Sequence, residues 1–301
     1  MPPPMLSQRQ TAFLIRAAPL TFALFWSSGF IVAKYAAPDA DPFTFLTVRA
    51  GSTIVVLALI IVASRAPWPG SAREAFHSIV AGMLLHGGYL GGVWWAVAQG
   101  LPAGIAGLIT AAQPLLTAVL AAPFLGERLT RRQWVGIAGG FAGIVLVLTP
   151  RLTAVDMTPL GAVVLPMIVN FGATVSVTLG TFYQKRFVPR TDLRTGTCLQ
   201  FVGALVVFGP LALWTETLRF NATATLLAAL AWSVLVISLA AIALLLWMLR
   251  RGEVSRVAAL IYLVPPLTAI EAFMLFGENL TIVQIVGMAV AALGVWLVTH
   301  R

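Results

Sequence analysis

This sequence predicts an all-α integral membrane protein, with ten transmembrane helices arranged as two inverted five-helix repeats. Three observations predict it. The 301 residues are 59% hydrophobic and only 10% charged, with a mean hydropathy of +0.95; a soluble domain of that length needs far more charge to cover its surface. Apolar runs of about twenty residues, enough to cross a hydrocarbon core of roughly 30 Å, recur along the whole chain. Finally, the phrase Gly-Glu-x-Leu-Thr-x-x-Gln-x-Val-Gly occurs at positions 126–136 and again at 277–287, an offset of 151 residues.

The elements follow in order. Residues 1–16 are polar and Pro-rich and read as a cytoplasmic tail. A signal peptide is the competing reading, but the counterpart of the first apolar run reappears at the repeat offset. Spans follow at 17–36, 43–64, 76–98, 103–125 and 131–149, then at 160–185, 195–214, 223–249, 254–276 and 281–299, each boundary good to a few residues. The first repeat is therefore 17–150 and the second 160–301. Short connectors such as "AAPDADP", "APWPGS", "QGLPAG" and "LTPRLT" carry the Pro and Gly that end helices.

Over positions 114–147 roughly sixteen of thirty-four residues match their partners without a gap, the mark of an internal duplication. The register extends backwards more sparsely: Gly29 falls on Gly180, Lys34 on Lys185, Pro38 on Pro189 and Asp41 on Asp192. Five spans is an odd number, so the second half enters the membrane from the opposite side. With both termini cytoplasmic, about fifteen Lys and Arg lie on inner segments and about three on outer ones, the bias that sets orientation. This explains why the first phrase carries Arg128, Arg131 and Arg132 where the second has Asn279, Ile282 and Val283. Mechanically, Gly126 and Gly277 suit a left-handed helix end. Thr130 with Gln133 and Thr281 with Gln284 suit a capping box that starts the next helix. Glu127 and Glu278 read as turn residues in preference to transport residues.

Two five-helix halves with Gly-Glu-x-Leu-Thr between the fourth and fifth spans of each resemble the EamA-type transporters of the drug/metabolite transporter superfamily. The resemblance covers essentially the whole chain. It implies a multi-pass carrier of the cell inner membrane with a cavity between its halves, moving amino acids or other small metabolites, generally outward. Arg49 in "FLTVRAG" resembles the family's arginine near the start of the second span. Its repeat counterpart is Gln200, so that feature is not duplicated. "HGGY" at 86–89, taken with the aromatic residues around it, is similar to the aromatic amino-acid exporters.

The residues themselves supply candidates for a midplane site, where inverted-repeat carriers break their helices. Pro114 and Pro265 stand mid-span at the repeat offset. They free the carbonyls of Thr110 and Ile261, and Pro266 frees that of Tyr262; the alternative is a simple packing kink. His86 lies near the midplane, and Tyr89 shares its helical face, with Trp94 at the edge. Imidazole, phenol and indole together can stack on an apolar side chain and bond its polar end; the alternatives are a histidine satisfied by a neighbouring helix and an interfacial tryptophan. Trp26 and Gln113 are placed to line the cavity. Asn170 heads a stripe with Thr174 and Thr178 and is expected to face it, while the hydroxyls bond their own helix. Arg49 and Glu271 are expected to be paired or snorkelling.

Several classes are excluded by what is missing. No Gly-x-x-x-x-Gly-Lys-Ser/Thr stretch, metal-ligand cluster or mid-membrane carboxylate pair occurs, so the sequence implies no cofactor and no enzyme chemistry. The +9 charge sits in short loops, which records orientation and argues against nucleic acid. Apart from Arg49, cations avoid the span interiors, which disfavours phosphate-rich substrates. Cys198 is alone, so there is no internal disulfide. The favoured function is a secondary exporter of amino acids, aromatic or bulky apolar ones first, working by alternating access. The alternative is a multidrug or other small-metabolite exporter, with Glu271 holding a cation. The partners implied are a neutral or zwitterionic small molecule and the lipid bilayer. A monomer is compatible with the sequence, although Gly136, Gly139, Gly140 and Gly143 offer a close-packing face for a partner helix.

Overall fold

The structure is a computed structural model describing residues 8–101, 103–126, 129–153, 160–251, 254–276 and 280–299. Every regular element among them is helical, apart from one antiparallel bridge between Ala40 and Phe220. Eight of the helices are long and apolar enough to cross a membrane, and a shorter apolar stretch covers Ile105–Ala121.

Helix α1 spans Gln8–Ala36 and so begins inside the stretch read as a tail, because no Pro or Gly interrupts residues 8–18. Helix α2 (Pro42–Ser64) starts on a proline, whose missing N–H is harmless in the first turn. The Glu216 carboxylate seals that end, accepting from the N–H groups of Phe43 (2.6 Å) and Thr44 (2.7 Å), an anion at the positive end of a helix. Helix α3 (Ala72–Gly82) passes through a π-helical stretch, Met83–Gly88, into α4 (Tyr89–Ala98). Helices α5 (Ala103–Thr110) and α6 (Gln113–Leu125) are separated by a break at Ala111 and Ala112, just before Pro114. Helix α7 runs Arg131–Thr153.

The second half follows the same plan. Helices α8 (Leu160–Phe187) and α9 (Leu193–Thr215) are continuous. Helix α10 (Ala224–Trp232) enters a second π stretch, Ser233–Ala241, and leaves as α11 (Ile242–Arg251). Helix α12 (Val254–Ala259) tightens to a 3-10 turn at Leu260–Leu263 before α13 (Val264–Phe276), and α14 (Ile282–Thr299) closes the chain. At the repeat offset the first π stretch falls inside the second, and the break at Ala111 falls on Tyr262 in the 3-10 turn. The breaks have a sequence cause in Pro114 and Pro265, which donate no hydrogen bond. The matching π stretches, MLLHGG and SVLVISLAA, share almost no residues.

Both capping boxes form. The Thr130 N–H donates to Gln133 Oε1 (2.8 Å) and the Gln133 N–H to Thr130 Oγ1 (3.3 Å); in the second copy the distances for Thr281 and Gln284 are 3.0 and 3.3 Å. Gly126 has φ +71, the left-handed helix end its position suggested. Glu127, Gly277 and Glu278 lie outside the described residues.

The tightest seam is α7 against α14. A Cβ on Gly136 would stand 2.7 Å from the Gly294 carbonyl oxygen, and one on Gly294 would stand 2.6 Å from that of Gly136. Gly143 and Gly287 oppose each other identically, at 2.8 Å in both directions. At the repeat offset the first pair maps onto the second. The glycine face read as a surface for a partner helix is therefore used within the chain. Helix α14 covers Gly136 and Gly143, and the Tyr262 ring covers Gly140; Gly139 meets nothing. The main core runs between the halves through Phe22, Leu46, Ile144, Phe208, Leu246 and Tyr262. The exterior leaves side chains such as Leu59, Val62 and Ile282 exposed, which lipid tails accommodate without cost.

Candidate functional site

Two spaces lie one above the other between the halves. The larger has a volume of about 590 Å³, within the usual range for small-molecule sites. Tyr89, Val93, Trp94 and Val97 of α4 form one wall, and Ile31 and Ala33 of α1 another. Ala106, Gly107 and Thr110 of α5 face Pro265, Thr268 and Ala269 of α13, and Val147, Leu148 and Gln284 close the far side. Lys34 and Arg219 stand at the end where the connectors 37–41 and 216–223 meet. The smaller space, about 30 Å³, is lined by Trp26, His86, Gln113, Gln200 and apolar neighbours, a volume the size of about one water.

A thin layer separates them. Trp26, which lines the lower space, packs in one cluster with Tyr89, which lines the upper one. Both pack with Leu85, Ala173 and Val177. On the other side the break at Ala111 and Ala112 separates Thr110, on the upper cavity, from Gln113, on the lower. The two π stretches flank this level, so the backbone departs from regular α geometry where the site is built.

The expected site residues therefore divide. Tyr89, Trp94 and Pro265 line the cavity. Trp94 is stacked on Phe45 with ring centroids 5.8 Å apart and an 8° interplanar angle, which holds its indole edge toward the space. Trp26, His86 and Gln113 line only the lower void. Pro114 and Pro266 are buried behind their helices. Tyr262 is fully buried with its ring on Gly140. Asn170, expected to face the cavity, is also fully buried; its Nδ2 donates to the Ala106 carbonyl at 2.9 Å and so braces the cavity wall from behind. Thr174 and Thr178 bond their own helix, as expected. Of the carbonyls expected to be free, that of Ile261 accepts from Val264 N–H in the 3-10 turn. Thr110 keeps its place on the cavity wall, and Pro114 has no N–H to claim its carbonyl.

His86 is held by neighbouring groups. Its ring stacks on Phe201 at 4.9 Å and 8°. Its Nε2 stands 3.4 Å from Gln200 Oε1, and Gln200 Nε2 in turn donates to Gln184 Oε1 at 2.8 Å. An amide oxygen only accepts, so His86 carries its proton on Nε2. Arg49, expected to be paired or snorkelling, has no carboxylate partner among the described residues; its Nε donates to Ser238 Oγ at 2.9 Å. The two contacts are related. Arg49 and Gln200 are repeat counterparts, Ser238 is the counterpart of Gly87 beside His86, and each bond crosses from one half to the other. The arginine itself is not duplicated; its counterpart Gln200 makes a contact between the halves one residue from the position that matches Ser238.

Sequence reading missed Thr268, Gln284, Val147, Leu148 and the two cations at the mouth. Thr268 had a signal: it repeats Thr117 inside a shared Leu-Thr-Ala at 116–118 and 267–269. Gln284 was legible only as a cap.

With this geometry in hand, comparison with known proteins is specific. The EamA-like transporter family matches at residues 14–149 and again at 164–300. An uncharacterized transporter, YvbV, of Bacillus subtilis (strain 168) is 26% identical over 301 residues, covering 98% of this chain and 93% of its own. A probable amino-acid metabolite efflux pump of Salmonella typhimurium (strain LT2) is 25% identical over 287 residues, covering 92% of each. A solved crystal structure superposes with a TM-score of 0.79 over 94% of this chain and 95% of the other, at 20% identity, a likeness of fold.

Proposed function

This chain belongs to the EamA-like transporter family, and on that premise we propose that it is a secondary carrier exporting amino acids, aromatic or bulky apolar ones first. The protein is a multi-pass membrane transporter and not an enzyme. The observation that carries the finer reading is the cavity of about 590 Å³, whose walls are apolar and aromatic with a few neutral polar groups and whose cations among the described residues, Lys34 and Arg219, stand at one end. Such a space suits an apolar side chain against Trp94 and Val93, with a zwitterionic backbone near Tyr89, Thr110 and Thr268. The relative named an amino-acid metabolite efflux pump supports the same substrate class.

In this reading ten helices form two inverted halves, residues 17–150 and 160–301, with both termini cytoplasmic. The matched π stretches, matched breaks and reciprocal α7–α14 glycines support it. The cavity end at Lys34 and Arg219 is then the outer one, by the distribution of Lys and Arg, and this conformation is open outward. The layer of Trp26 and Tyr89 closes it inward. Export proceeds as the halves rock and the closure passes to the outer side. The cation-drug alternative loses its anchor, since Glu271 turns toward Ser27 and does not line the cavity.

Proteoliposomes carrying the purified protein test this. Preloaded with unlabelled phenylalanine, they are expected to accumulate labelled phenylalanine or tryptophan by exchange, with labelled glucose excluded. If no amino acid exchanges above protein-free vesicles, the proposal is wrong.

A further inference from the structure

Glu271 is the only carboxylate within the eight long apolar helices, and its contacts are unusual. Oε1 lies 2.6 Å from Ser27 Oγ, while the same Ser27 Oγ lies 2.9 Å from the carbonyl oxygen of Leu24. A serine hydroxyl has one proton. If that proton goes to Leu24, the back-bond common for serine in a helix, nothing remains to join two oxygens 2.6 Å apart unless the carboxyl brings its own. A neutral carboxyl resolves both contacts: Glu271 Oε1–H donates to Ser27 Oγ, and Ser27 Oγ–H donates to Leu24 O. The second oxygen, Oε2, is buried without a hydrogen-bond partner, which suits a carbonyl oxygen far better than half of a carboxylate.

The elements packed against α13 bring no counter-charge. On α1, Arg9 and Arg16 lie eighteen and eleven positions before Ser27, and Lys34 and Tyr35 seven and eight beyond it. The arginines of α7 are at 131, 132 and 151, α14 has no titratable residue, and the 3-10 turn contributes only Tyr262, whose ring lies on Gly140. No ion pair to Glu271 occurs among the described residues. The seam borders the cavity: Thr268, one turn before Glu271, lines it and donates to the Ser27 carbonyl at 3.4 Å.

We propose that Glu271 is the proton-binding site of this carrier, taking one proton from the outer side in the state seen here and releasing it inward, so that export is exchange against protons. The proposal rests on the exporter reading above. When Glu271 releases its proton, the Ser27 hydroxyl must turn from Leu24 to the carboxylate, and Oε2 is left without a donor. Ionisation therefore favours a different α1–α13 arrangement, the seam that moves if the halves rock. His86 is a poor alternative, being stacked on Phe201 and hydrogen-bonded to Gln200 below the cavity floor.

Two measurements decide it. In proteoliposomes with an imposed gradient of about one pH unit and the membrane potential held at zero by potassium and valinomycin, one-to-one exchange sustains about a tenfold phenylalanine ratio, with a trapped pH dye reporting the opposing proton flux. E271Q, whose amide N–H can donate to Ser27 Oγ as the neutral carboxyl does, is expected to lose both while phenylalanine-for-phenylalanine exchange persists. A wild-type ratio indifferent to the gradient, or one retained in E271Q, overturns the proposal. Independently, infrared spectra at neutral pH are expected to show the carbonyl band of a protonated carboxyl in the wild type and none in E271Q. Its absence from the wild type also overturns the proposal, whether or not phenylalanine is transported, so a wrong substrate and a wrong proton site are told apart.

Discussion

Trp94 and His86 lie eight residues apart on one helical rod, yet they face different spaces, and this separates their roles. Trp94 presents an indole edge to the cavity from a stack on Phe45, so its removal takes away an aromatic contact worth about 1 kcal/mol. W94A is expected to raise KM for tryptophan roughly fivefold in exchange assays, with a smaller effect for leucine. His86 contributes to a buried seam through Phe201 and Gln200. H86A leaves Gln200 short of a donor and opens the lower void, at a cost of about 1–3 kcal/mol. That is expected as a lower thermal midpoint, with substrate KM unchanged; the reverse pattern, a large KM effect with unaltered stability, would return His86 to the substrate. At this scale the sequence was informative about residue type and blind to direction. Helical spacing put His86 and Tyr89 on one face, but the π stretch at Met83–Gly88 rotates the register there, and no local pattern announces it.

At the scale of elements, the glycines of α7 and α14 make a sharp contrast. G287A places a methyl group 2.7 Å from Val147 N and 2.8 Å from Gly143 O. Backbone cannot withdraw as a side chain can, so α7 and α14 must separate, at a cost of about 1–3 kcal/mol. G139A, four residues from Gly143 with open space around it, is expected to be neutral or to stabilise by up to about 1 kcal/mol through helix propensity. Thermal unfolding in detergent reads both, and equal effects would refute the packing role. Repetition made this seam visible as a pair of motifs, and the capping boxes were legible residue by residue. That the glycines of one half lie on those of the other was not legible, because each half shows only its own face.

Across the whole molecule the two halves are clamped at the cavity mouth. Asp41, from the first half, accepts from Thr217 Oγ1 at 2.8 Å, from Arg219 N–H at 3.1 Å and from Arg219 Nε at 3.3 Å. Partial burial alone pushes the Asp41 carboxyl up, but the Thr217 hydroxyl and the Arg219 N–H, side chain and charge outweigh it and hold the group below the usual carboxylate range. A depressed value means the clamp contributes fully above the ordinary Asp range and is lost as pH falls through the depressed one. The pair is half-exposed on the Arg219 side, so the contribution is well under about 1 kcal/mol. The gap in thermal midpoint between wild type and D41N is expected to be steady at neutral pH and to close below about pH 4; a gap constant through that range removes the clamp. By itself the sequence determined that this is a helical membrane protein, that it is internally duplicated and where its helices break, since apolar length, a repeated phrase and mid-span prolines act locally. Only the tertiary structure decided which residues share a cavity, that Gln200 answers Arg49, and that Glu271 meets Ser27, because these depend on how far each helix rotates and how closely the halves approach, which packing sets collectively.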